Sequence, residues 1–145
     1  MKKEETEVNV LDELNKGACM GRDAIHYIIE KVEDKSLKVL LEKQYQEYVS
    51  ILEEIKSIYP EYSEKEPHET NPMNRFMTWC GIEMRTMNDD SDSKITELLL
   101  QGTNMGIIEG RRLLNHKGTD KEVHNLLQKY VNMQEEIVEN LKKFL

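Results

Sequence analysis

Cysteine occurs only twice in these 145 residues, tryptophan once, phenylalanine twice and proline three times. Two cysteines, Cys19 and Cys80, define no disulfide framework. Three prolines leave long stretches of chain with nothing to interrupt a helix. No apolar run approaches the ~20 residues that a membrane span requires. The opening MKKEETEVNV has two lysines with no apolar stretch behind them, so it reads as neither a secretory signal nor a membrane anchor. Basic charge is also scarce, with 20 Lys and Arg against 28 Asp and Glu and a formal net charge of −8. Phosphate binding needs a positive surface that this balance denies, and the acidity serves solubility. The expectation is one cytoplasmic domain with reduced thiols, large enough to bury a core without staples, and with neither nucleic acid nor a membrane as partner.

What the chain does have is a second copy of itself. In register, Leu14 falls on Leu99, Gly17 on Gly102, Met20 on Met105 and Gly21 on Gly106. After one extra residue in the second copy, Leu37 falls on Val123, Leu40 and Leu41 on Leu126 and Leu127, and Ile51 on Ile137. Each copy is a long periodic segment, a short break and another long periodic segment. The repeat unit is therefore a helical hairpin that cannot bury its apolar face alone.

Leu11, Leu14, Ala18, Gly21, Ile25, Ile28 and Val32 are spaced three and four apart, which predicts a helix from about Asn9 to Val32. Asp34 and Ser36 offer caps for a second helix carrying Leu37, Leu41, Gln44, Tyr48, Ile51, Ile55 and Ile58, ended by Pro60. The polar stretch from Glu61 to Thr70 reads as an exposed connector. Asn71 and Pro72 then open a short middle helix with a stripe of Met73, Met77, Cys80, Met84 and Met87, widened by Phe76 and Trp79. The capping-type side chains of Asn88–Asp92 end it. A fourth helix from about Ser93 to Asn115 stops at Gly118 as a C-terminal cap, and Thr119 with Glu122 forms a capping box for a last helix from Val123 to Phe144. One domain over 1–145 follows, with hairpins at 9–59 and 93–145 joined by a crossover at 60–92.

Gly17-Ala18-Cys19-Met20-Gly21 and Gly102-Thr103-Asn104-Met105-Gly106 resemble the first and third bundle helices of the ferritin-like superfamily of the rubrerythrin type, and the whole chain resembles small clostridial ferritin-like proteins. The resemblance implies an all-α, ferritin-like four-helix bundle of two repeated hairpins, with an extra Met-rich helix in its long crossover. Di-iron members of that superfamily take one Glu from each of two helices and a Glu-x-x-His from each of the other two. This chain has Ala18 and Thr103 at the single-glutamate positions. Its nearest relatives of the other motif are Glu47-x-x-Ser50 and Met133-x-x-Glu136, without histidine. Hard, oxidised iron needs anionic oxygens, so the departures argue against the family's iron chemistry and for no cofactor.

Gln44 and Tyr48 on the second helix correspond to Tyr130 and Gln134 on the last, the same two side chains in swapped order at inward positions. All four are neutral and both donate and accept. A structural layer that fixes helix register is the first reading, and a small polar ligand held by the same groups, with room left by the glycines, is the second. Asp23-x-x-His26 lies beside the apolar stripe and has no counterpart in the other repeat, and His68, His116 and His124 are predicted not to converge with it. The sulfur stripe has the chemistry for Cu(I), yet its spacing is what any buried face needs. It is read as an association surface, part of it covered by a second copy in a homodimer, with the remainder packed over the bundle.

The leading expectation is a non-enzymatic structural or interaction module. A ferritin-like oxidoreductase or iron-handling protein is the first alternative, and a small-ligand-binding bundle the second.

Overall fold

Apolar residues three and four apart build the long helices of this chain. A computed structural model describes residues 3–67, 78, 81–83 and 91–145. Among these residues the long helices are α1 (Lys3–Ile28), α2 (Lys35–Ile58), α3 (Asp92–His116) and α4 (Lys121–Leu141), and there is no strand. The stripes meet in one core. Leu11, Leu14, Ile28, Leu37, Leu41, Ile51, Ile55, Ile95, Leu127 and Leu141 are wholly or almost wholly buried in it. Burying each such side chain contributes about 1.5–3 kcal/mol.

Helix α1 begins at Lys3 rather than near Asn9. The buried face continues backward through Val10 and Glu7, so the packing stripe carries the helix a further turn and more. At its other end Ile29–Lys31 tighten into a 3₁₀ turn before Val32 becomes extended. Asp34 then caps α2, its carboxylate accepting from the Leu37 amide at 3.0 Å. Pro60 sits in the 3₁₀ turn Tyr59–Glu61 that closes α2.

The second hairpin turns differently from its sequence expectation. Helix α3 ends at His116, Lys117 after it is extended, and no described glycine has a positive φ, so Gly118 is not a left-handed cap. Asp120, not Thr119, caps α4, with Oδ1 accepting from the Val123 amide at 3.1 Å. A carboxylate there also complements the helix dipole, which a threonine hydroxyl does not. Thr119 Oγ1 is buried without a partner.

Three polar ties fix the ends of the helices. Tyr59 at the end of α2 donates to Asp12 Oδ1 at 2.8 Å, and Tyr62 donates to Asp120 Oδ2 at 2.5 Å. The Asp92 carboxylate at the start of α3 accepts from the Glu33 and Asp34 amides at 2.9 and 2.7 Å. Thus α2 ends beside the second hairpin turn and α3 begins beside the first. The two hairpin turns lie at opposite ends, so α2 and α3 run the same way. The chain between them must travel the length of a helix, about 36 Å for α2 at 1.5 Å per residue. Helices α1 and α2 pack together, as do α3 and α4. Contacts of α1 with α3 and of α2 with α4 close the arrangement.

Among the described residues, no helix is long and apolar enough to cross a membrane.

Candidate functional site

Positions 44, 48, 130 and 134 lie on the buried faces of α2 and α4, and the structure brings all four side chains into the interior. Gln44, Tyr48, Tyr130 and Gln134 are each 2–3% exposed. Gln134 Nε2 donates to the Tyr48 hydroxyl at 3.4 Å, and the Tyr48 and Tyr130 rings meet edge to face with centroids 6.5 Å apart. The Thr103 hydroxyl donates to the Leu99 carbonyl at 2.8 Å. Burial pushes the Tyr48 hydroxyl above its ordinary value, against hydrogen bonds to Gln134 and Thr103. Burial and the neighbouring Tyr48 push Tyr130 well up, against Gln134. Both phenols are therefore neutral across the physiological range.

Two amide atoms of this group have no partner. Gln44 Nε2 and Gln134 Oε1 are buried and make no hydrogen bond. Buried polar atoms are normally satisfied, and an orphan costs about 1–3 kcal/mol. One orphan is a donor and the other an acceptor.

Both glutamines line a cavity of about 180 Å³ on the seam between α1 and α3. The lining runs from Glu13 to Ile25 on α1 and from Leu99 to Leu113 on α3, about 18–21 Å at 1.5 Å per residue. The cavity is therefore a slot drawn out along the seam, open to solvent at a rim that carries Glu13, Lys16, Met105 and Glu109. Its walls are mostly apolar. Its floor is formed by Gln44, Tyr48, Tyr130 and Gln134 from α2 and α4.

Glycine makes this geometry fit. A Cβ on Gly21 would lie 2.3–2.8 Å from the Tyr48 ring, and one on Gly106 would lie 2.3 Å from Gln134 Nε2. At Gly17 it would lie 2.6 Å from the Tyr130 hydroxyl. Large polar side chains from α2 and α4 thus reach across the interior until they touch the backbones of α1 and α3. The lining charges are at the rim. Lys16 pairs with Glu13 at 3.7 Å and Glu109 with Arg112 at 2.9 Å, all of them about half exposed or more.

The positions corresponding to a di-iron ligand set do not converge in the interior. Ala18 is wholly buried and Thr103 is turned to its own helix backbone. Glu47, Met133 and Glu136 line an open groove between α2 and α4, while Ser50 is exposed on the outside of α2. Burial there pushes the Glu47 carboxyl up, with Lys43 opposing and Glu136 adding to the rise. The inward register is 44, 48 and 51, so 47 and 50 point away. Among the described residues, no three His, Cys, Asp or Glu side chains are grouped to hold a metal.

His26 is exposed beside Tyr45, with ring centroids 6.3 Å apart, while Asp23 bonds Arg22 at 2.9 Å. His116 and His124 are exposed near helix ends. His68 and the stripe of Met73, Phe76, Met77, Trp79, Cys80, Met84 and Met87 lie outside the described residues. Cys19 is buried on α1 outside any disulfide. Sequence reasoning found the polar floor and the glycines. It did not place the slot on the α1–α3 seam, nor its rim at Glu13, Lys16, Met20, Met105 and Glu109.

No protein-family model matches the chain, and no curated protein or solved structure matches it either.

Proposed function

We propose that this chain is a non-catalytic helical bundle of ferritin-like connectivity that holds a small molecule in the slot between α1 and α3. The observation that carries the reading is the mostly apolar cavity itself, which Gln44, Tyr48, Tyr130 and Gln134 line with neutral polar side chains. A mostly apolar cleft with a few convergent polar groups is the usual form of a small-molecule site. Ferritin-like connectivity is supported by the parallel course of α2 and α3 and by the agreement between hairpins. Gly21 faces Tyr48 in the first, and Gly106 faces Gln134 in the second, at corresponding positions of the two sequence copies. Alanine and threonine in place of two carboxylates leave that centre with neutral groups, which suit a neutral occupant.

A purely structural layer is the second reading, favoured by the Gln134–Tyr48 hydrogen bond and the Tyr48–Tyr130 contact that tie α2 to α4. Native mass spectrometry of protein purified without detergent separates the two. The ligand reading expects an adduct of one small molecule per chain, recoverable by solvent extraction and lost in Met20→Trp, which fills the slot from its rim. Bare protein that also takes up no small neutral molecule favours the structural layer.

A further inference from the structure

Leu14, Ile25 and Leu99 present hydrocarbon along the walls of the slot, and helical glycines of α1 and α3 present backbone whose amides and carbonyls bond within their own helices. The polar groups between them are engaged inside the protein. The Thr103 hydroxyl donates to the Leu99 carbonyl at 2.8 Å, and the Tyr48 hydroxyl accepts from Gln134 at 3.4 Å. A guest with several polar atoms would leave water for walls that offer mostly carbon. Charge is confined to the rim, where Glu13, Lys16 and Glu109 are the ionisable lining residues. Lys16 pairs with Glu13, and Glu109 pairs with Arg112. An ion entering the slot would lose hydration without meeting an unpaired counter-ion.

Volume sets the scale. An apolar void of about 150 Å³ holds one benzene molecule, and the slot has about 180 Å³. Its floor carries the edge-to-face pair of Tyr48 and Tyr130, to which an aromatic guest adds further ring contacts. Met20 and Met105, at corresponding positions of the two sequence copies, add polarizable thioethers to the lining, and sulfur packs well on ring edges. Resting on the reading of the slot as a binding site, we propose that its ligand is an uncharged, predominantly apolar molecule of about the volume of one substituted aromatic ring.

Fluorine NMR titration with four probes of matched shape tests this: para-fluorotoluene, para-fluorobenzamide, para-fluorobenzoate and para-fluorobenzylammonium. The toluene is expected to saturate a single site per chain, at least about tenfold more tightly than either ion and more tightly than the amide. Met20→Trp should abolish its binding, and Met105→Trp does the same from the other helix if the first variant folds poorly. Thr103→Val removes a hydroxyl already bonded to the backbone of α3 and should leave the toluene affinity unchanged. An amide or an ion that binds as tightly as the toluene overturns the ligand class and leaves the slot as a site, and so does a loss of toluene binding in folded Thr103→Val. Toluene binding that survives both tryptophan variants puts the guest elsewhere and overturns the proposal. Failure of all four probes with protein that still carries a native adduct overturns the class alone. Failure of all four with bare protein overturns the class and the binding reading together.

Discussion

Replacing Gln44 by leucine separates a ligand site from a structural layer, because the two accounts assign the change opposite signs. Gln44 is 2% exposed and its Nε2 has no partner, so the ligand-free protein carries a desolvated donor that water satisfied in the unfolded chain. Removing such an orphan recovers about 1–3 kcal/mol. Leucine is close in volume, is apolar like the core residues of the same helix face, and forces no overpacking. Allowing about 1 kcal/mol for what the amide oxygen contributes, the net expectation is stabilisation by about 1–2 kcal/mol. For a chain of this size, that raises Tm by roughly 3–8 °C. The assay is paired thermal and urea unfolding of protein washed free of small molecules, followed by helical circular dichroism. A fall in stability of more than about 1 kcal/mol would refute the reasoning, because it would mean the amide is fully satisfied in the folded state. Stability gained at the expense of binding is common where a site holds unpaired polar groups.

Gln134→Leu should change stability by less than about 1 kcal/mol, since the lost 3.4 Å bond to Tyr48 offsets relief of the orphan oxygen, and the same melts read it. Gly21→Ala should destabilise by about 1–3 kcal/mol despite alanine's helix preference, because its methyl would press into the buried Tyr48 ring. Gly106→Ala should be milder because it meets the end of a glutamine, and Gly118→Ala, with open space around it, should be neutral or slightly stabilising. Asp120→Ala removes both the α4 cap and the Tyr62 tie and should lower stability by about 1–3 kcal/mol in urea titration. Burial and the Asp12 carboxylate push Tyr59 up to about 12, and Tyr62 is raised by burial and Asp120. A tyrosine raised above its unfolded value of about 10 contributes stability that is full below that pH and lost as pH climbs through the folded value. Stability should therefore fall above pH 10, and Tyr59→Phe, less stable at neutral pH for want of the Asp12 bond, should lose less stability as pH rises there, as read by circular dichroism beside phenolate absorbance.

The helices were legible because their stripes are long and regular, and the inward register of Gln44, Tyr48, Tyr130 and Gln134 followed from the same spacing. The start of α1 was not. Glu7 is nearly wholly buried, and a charged residue on the packing face breaks the apolar pattern that marks a helix. The second turn was misassigned because Thr119 with Glu122 satisfies the capping pattern as sequence. The side chain that wins is Asp120, which caps Val123 and accepts from Tyr62, a residue distant in sequence. The slot was illegible for a similar reason. Glycine at 17, 21, 102 and 106 signals space, but whether that space is filled depends on how far Tyr48 and Tyr130 reach across from other helices. Unpaired atoms such as Gln44 Nε2 exist only relative to neighbours that no local pattern names.

A high-resolution crystal structure of the protein as purified tests the central claim most directly, through the density along the α1–α3 seam. The account predicts density for a bound small molecule in the slot, against its apolar walls and the floor of Gln44, Tyr48, Tyr130 and Gln134. A closed or empty seam, with Gln44 Nε2 and Gln134 Oε1 each paired within the protein, would contradict it.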